Sequence, residues 1–201
     1  MKIITVAHQK GGVGKTTLSV NLATFFKDHL KVGLLDGDPQ ESITGLGSLL
    51  EGVKIIAHDN LSNLTTIQND IDLLVIDTPP YLTSKLPELF DISDYVLIPT
   101  KVGYLDVMAI KATISLLKDA QKRRPNLKSG VVLNMVKNRT SINDEIKKII
   151  QSYEIPLHNT VICDRVSYTR SVISSGVMDG QDEKAKEEIT NLAEEIIESL
   201  K

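Results

Sequence analysis

The sequence predicts a three-layer α/β/α sandwich on a mostly parallel sheet, and three observations carry that prediction. Short, almost wholly apolar runs rich in Val, Ile and Leu recur along the chain, as strands covered on both faces do. Segments of helical spacing alternate with them, which calls for strand-helix-strand crossovers. The stretch QKGGVGKTT at 9–17 stands between the first apolar run and the first helical pattern, where an open α/β sheet places its tightest turn.

In chain order, the apolar runs at 3–7, 32–35, 73–76, 95–98 and 131–133 are the expected strands. Residues 42–70 are harder to assign, with GLGSLLEG and DNLSNL supplying turn signals around a possible strand at 53–57. Helical spacing covers 16–29, 105–122, 143–153 and 183–200. No internal repeat or low-complexity tract interrupts the pattern. The expected organisation is one domain over residues 1–201, with the part after Ser141 its last portion.

Composition narrows the function classes. With one cysteine, Cys163, no intrachain disulfide is possible, and a reducing compartment is the natural setting. Lys2 is followed by only a short apolar run and then by His8, Gln9 and Lys10, which is a poor signal peptide. No apolar run approaches the roughly 20 residues of a membrane helix, so a cytoplasmic protein is expected. The net charge of −3 hides a division: residues 1–100 sum to −5, residues 101–170 to +7 and residues 171–201 to −5. A basic middle of this kind can supply an anion-binding face that the overall charge conceals.

The glycine-rich turn carries the chemistry. Gly11, Gly12 and Gly14 let backbone N–H groups, with those of Val13 and Thr17, close around phosphate oxygens at a helix N-terminus. Lys15 should reach β- and γ-phosphates, and the Thr16 hydroxyl should ligate Mg²⁺. The common pattern G-x-x-x-x-G-K-[ST] fails, because its first position falls on Gln9; what fits is K-G-G-x-G-K-[ST], with Lys10 as an additional cation. Two acidic elements accompany it. VGLLDGDPQ ends the second strand with Asp36 and Asp38, two residues apart and therefore on one side of an extended chain. LLVIDTPP ends the third with Asp77, a carboxylate placed to hold Mg²⁺.

Together these motifs resemble the deviant Walker A motif and accompanying signatures of the ParA/MinD family of ATPases, closest to its short ParA-type members. The resemblance implies that Lys10 reaches across a nucleotide-sandwich homodimer to the phosphates held by the other subunit. It also implies that Asp38 positions or activates the attacking water, while Asp36 supports the metal's hydration shell. VLIPTKVGYLDVMAIKA at 96–112 and VICDRVSYTRSVISSGV at 161–177 are similar more loosely, which makes Asn134, Ile162 and Asp164 candidates for base contacts.

The reaction implied is hydrolysis of ATP to ADP and phosphate, slow and used as a switch. With Lys111, Lys118, Lys122, Arg123, Arg124, Lys137, Arg139, Lys147, Lys148, Arg165 and Arg170 in the basic segment, the dimer would double a surface suited to duplex DNA. Only nine residues precede KGGVGKTT, too few for the helix-turn-helix of longer relatives. The expected role is DNA partition: an ATP-bound dimer on non-specific nucleoid DNA, released when a ParB-type centromere-binding adaptor stimulates hydrolysis.

Four other readings compete, of which nitrogenase-iron-protein relatives share the loop but need two cluster cysteines per subunit, where this chain has Cys163 alone. MinD relatives add a membrane-binding helix, but the last helix here, DEKAKEEITNLAEEIIESLK, has an acidic polar face that anionic lipid would repel. An ATP-dependent ligase of the dethiobiotin-synthetase type uses a related fold, and Lys10 with D-x-D-P-Q argues against it. A non-catalytic nucleotide scaffold is opposed by the full set Lys10, Lys15, Thr16, Asp38 and Asp77.

Overall fold

The computed structural model describes residues 1–37, 50–57, 70–81, 85–137 and 144–201. Among them run β1 (Lys2–Val6), α1 (Lys15–Phe26), β2 (Val32–Asp36), β3 (Val53–Ile56), β4 (Leu73–Asp77), α2 (Leu86–Ile92), β5 (Tyr95–Thr100), α3 (Tyr104–Arg123), β6 (Lys128–Val136), α4 (Asp144–Ser152), β7 (Leu157–Cys163), α5 (Val166–Ser171) and α6 (Glu183–Ser199). The strands form one sheet of order β3-β2-β4-β1-β5-β6-β7. Every neighbouring pair is parallel, so all the strands' carboxyl ends lie along one edge.

The apolar strands are continuous runs because both faces are covered. Ile4 and Val6 of β1 pack on one face with Leu18 and Leu22 of α1 and with Ile189, Leu192 and Ile196 of α6. Ile3, one residue out of phase, turns to the other face and joins Leu74, Ile76 and Leu89 of α2. Val96 and Ile98 of β5 meet Ile110, Ile114 and Leu117 of α3 on that same second face. Period-two alternation in β1 thus sends successive side chains into two different cores.

All five expected strands are present, and the doubtful run near 53 is β3. The helix expected over 16–29 stops at Phe26, where His29 and Leu30 N–H groups turn back to the Phe26 carbonyl. Three elements had no sequence expectation: α2, β7 and α5. β7 reads LHNTVIC, with exposed Asn159 and half-buried Thr160 and Val161, because it is the edge strand next to β6 and only part of it is covered. Its polar residues are used instead to hold α6. Tyr95 and the His158 Nε2 lie 2.8 Å apart, and His158 Nδ1 and Glu195 lie 3.0 Å apart. Glu195 also accepts from the Asn159 and Thr160 N–H groups. This network and the apolar stripe bury the inward face of the last helix, so the amphipathic pattern of 183–200 is a core-facing one. No helix among the described residues is long and apolar enough to cross a membrane.

Candidate nucleotide site

The site is built where β1, β2, β4 and β6 end. β1 is flanked by β4 and β5, and the chain leaves its carboxyl end through the 9–14 turn into α1. Gly14 is the N-cap with φ of 88°, and Gly12 has φ of 68°, both in the left-handed region that a side chain disfavours. No side chain caps α1 and no acid stands in its first turn. The amides of Lys15, Thr16 and Thr17 therefore open onto the turn with the positive end of the helix dipole behind them, an arrangement made for an anion.

The two lysines are disposed differently. Lys15 is buried at 6% exposure, and its ammonium lies 3.4 Å from the Lys10 carbonyl, inside the turn. Lys10 points out of it. Its ammonium pairs with Asp106 at 2.5 Å, on the first turn of α3, and its side chain stays 44% exposed. Beneath Lys10, buried His8 accepts the Lys10 N–H on Nδ1 at 2.7 Å. Burial, with Lys15 nearby, lowers the His8 pKa to about 4, so the ring is neutral and its proton is on Nε2.

The acidic side is assembled by strand register. Asp36 and Asp77 are directly paired across β2 and β4, and both are buried. The Thr16 hydroxyl donates to Asp77 Oδ2 at 2.6 Å and the Ser19 hydroxyl to Oδ1 at 3.2 Å. Gly37 donates its N–H to the Asp77 carbonyl at 2.9 Å, and a Cβ there would stand 2.4 Å from that oxygen, so the close approach of the two strand ends requires glycine. Burial raises the Asp77 pKa to about 7, against the lowering effects of Thr16, Lys15 and Ser19, and Asp36 raises it further. A hydroxyl and two carboxylates around one buried point are hard oxygen donors, the set that Mg²⁺ takes. These residues fit the ion: Thr16, Asp77 and Asp36 would hold it.

This carries a pH prediction. A carboxyl with a raised pKa in the folded state contributes stability that is full below its ordinary value and is lost as pH rises through about 7. Without nucleotide, the wild type should lose stability relative to Asp77→Asn between about pH 4 and pH 7. Mg²⁺ should remove that difference by replacing the proton. Thermal melts across pH with and without Mg²⁺ check it, and identical pH slopes in the two proteins would refute the assignment.

Of the sequence candidates, Gly11, Gly12, Val13, Gly14, Lys15, Thr16, Thr17, Asp36 and Asp77 come together at this edge. Asp38 lies outside the described residues. Asn134, at the end of β6, sits against the turn with its amide donating to the Val13 carbonyl at 2.7 Å. Ile162 is a core side chain, and Asp164 is exposed with its N–H on the Val136 carbonyl. The sequence reading missed Ser19, His8 and Asp106. Ser19 was signalled by its spacing three residues after Thr16, which puts both hydroxyls on one helix face; the other two had no local signal.

The comparisons agree with this geometry. Residues 4–176 match the model of the CobQ/CobB/MinD/ParA nucleotide binding domain. The chain is 30% identical over 98% of its length, and 96% of the relative's, to maintenance of carboxysome distribution protein A of Halothiobacillus neapolitanus. It is 28% identical to the virulence plasmid ParA family protein pGP5-D of Chlamydia psittaci, covering 100% of this chain and 96% of that one. Among solved structures, apo McdA of Cyanothece superposes with a TM-score of 0.82 at 18% identity over 98% and 99% of the two chains. With the fold, the phosphate turn and the family match in agreement, the chain belongs to the CobQ/CobB/MinD/ParA family of nucleotide-binding domains, as an ATPase of the ParA/MinD type.

Proposed function

We propose that this ATPase is a positioning switch: with ATP and Mg²⁺ it forms a homodimer that binds DNA without sequence preference and releases it on hydrolysis. The observation that carries this reading is the outward course of Lys10. A lysine meant for its own subunit's phosphates would lie within the turn, as Lys15 does, whereas the Lys10 ammonium sits at Asp106 on the surface. Beside Asp106 on α3, Tyr104, Leu105 and Met108 expose large apolar groups, Leu105 at 75%. That surface suits a second copy of the chain closing over the nucleotide.

In the reaction, Lys15 and the turn's amides hold and orient the phosphates, and Thr16, Asp77 and Asp36 would hold the metal. The chemistry that Mg²⁺ would supply there is positive charge to offset that of the phosphates. Lys10 of one subunit offsets charge developing at the terminal phosphate of the other, and Asp38 orients the attacking water. Most of the rate comes from positioning and preset charge.

The DNA surface is narrower than the sequence count suggests. Lys118, Lys122, Arg123 and Arg165 are paired with Glu154, Asp119, Asp91 and Glu188. Arg124 donates to the Asp91 carbonyl. Lys111, Lys137, Lys147, Lys148 and Arg170 are exposed and have no ion pair among the described residues, and Arg139 lies outside them. Replacing Lys147 and Lys148 together with alanine should weaken binding to a random duplex at least several-fold at low salt and flatten its salt dependence by about two charges. Unchanged affinity would remove α4 from the DNA surface.

The buried inward face of α6 argues against a MinD-like membrane role, since Ile189, Leu192 and Ile196 already pack on α1 and the sheet. For the cargo, a centromere held by a ParB-type adaptor is one reading. A body of the carboxysome kind is the second, favoured by the similarity to the carboxysome distribution protein across nearly the whole chain. Binding of a labelled random duplex with ATP, with ADP and without nucleotide tests the shared claim. Tight binding with ATP alone supports it, and equal binding in all three states contradicts it.

A further inference from the structure

The geometry points to Asn134 as a positioning residue for the phosphate turn, acting on the backbone that grips phosphate whether or not a base is present. This rests on the nucleotide site described above and assigns Asn134 a role separate from base recognition.

Asn134 is 3% exposed, and each end of its amide is engaged. Its Nδ2 donates to the Val13 carbonyl at 2.7 Å, and its Oδ1 accepts the Met135 N–H at 2.9 Å. Met135 itself adopts φ of 54°, a left-handed conformation that a methionine rarely takes. Non-glycine residues held in that region mark places where the surrounding structure over-determines the backbone. The two hydrogen bonds, one at each end, hold the Asn134 amide in one orientation, with its N–H aimed at the turn.

The turn presses back on the same group. A Cβ on Gly14 would lie 2.2 Å from Asn134 Nδ2 and 3.3 Å from Met135 Cε. Gly14 is thus glycine for its φ of 88° and also for the space Asn134 fills. Val13, 1% exposed, has its carbonyl removed from solvent, so Asn134 is the donor that satisfies it. With that carbonyl fixed, the Val13–Gly14 peptide plane is set, and with it the direction of the Gly14 N–H in the turn. β6 lies two strands from β1 in the sheet, so the tether crosses over the end of β5 and joins parts of the site that backbone pairing does not link.

The test separates the turn from the base. Asn134→Ala removes the donor, and Asn134→Asp keeps the shape and the acceptor for Met135 but loses the donor. Each is assayed for binding of Mg²⁺-ATP and of Mg²⁺-tripolyphosphate, which has no base, and for amide exchange of the 9–17 segment without ligand. Both variants should bind tripolyphosphate about tenfold more weakly than wild type, with a comparable loss for ATP, and exchange faster over 9–17. Weakened ATP binding with unchanged exchange and unchanged tripolyphosphate binding would assign Asn134 to the base alone and overturn the proposal. Unchanged affinity for both ligands would overturn it as well. Should the alanine variant fail to fold, the isosteric aspartate variant and its exchange pattern decide by themselves.

Discussion

Replacing Lys15 with alanine is expected to reduce ATP affinity by roughly 10- to 100-fold, the worth of hydrogen bonds to a charged group, and hydrolysis by a further factor of about 10²–10³. The expectation follows from where the ammonium lies. It is buried within the turn at the mouth of α1, where it has little water to compete with a phosphate. The same charge lowers the pKa of Asp77, so its loss should drive the Asp77 titration upward from about 7 and move the pH dependence of stability with it. Calorimetric titration with ATP reads the first effect and pH-resolved melting the second. Near-normal ATP affinity in Lys15→Ala would mean that the phosphates sit elsewhere.

Lys10→Ala should behave in the opposite way. ATP binding to the monomer should stay within a few-fold of wild type, because the Lys10 side chain is outside its own turn. Hydrolysis should fall by about 10³ or more, the size found when a cation supplied by a second molecule is withdrawn from phosphoryl transfer. For the wild type to place Lys10 in the partner's site, the Lys10–Asp106 pair must open. That pair is half exposed, and exposed ion pairs contribute only about 0–1 kcal/mol, so it presents a small barrier to exchange for a phosphate. ATP affinity and single-turnover hydrolysis measured on one preparation separate the two effects. Equal loss of both would place Lys10 in its own subunit's site.

Much of this was legible because the chemistry is carried by short motifs at strand ends. QKGGVGKTT gave the turn and both lysines, and the buried strands announced themselves as apolar runs with Asp36 and Asp77 as their last residues. What was not legible depends on contacts between distant positions. β7 was hidden because edge exposure leaves LHNTVIC polar. Asp106 meets Lys10 across 96 residues of chain. Asn134 was named for the base, while its bond to Val13, 121 residues away, could be seen only once β6 and the turn were in one place. The basic segment misled in number: charge counting takes no account of Asp91, Asp119, Glu154 and Glu188, which neutralise four of its cations locally.

The central claim, that Lys10 serves the site of a second subunit, is tested most directly by mixing two variants. Lys10→Ala retains Asp38 and can receive a lysine; Asp38→Ala retains Lys10 and can supply one. Each should be nearly inactive alone. In an equal mixture half of the dimers pair one of each, and one of the two sites in such a dimer is complete, so activity should return to about a quarter of wild type. A mixture no more active than its separate components would contradict the account.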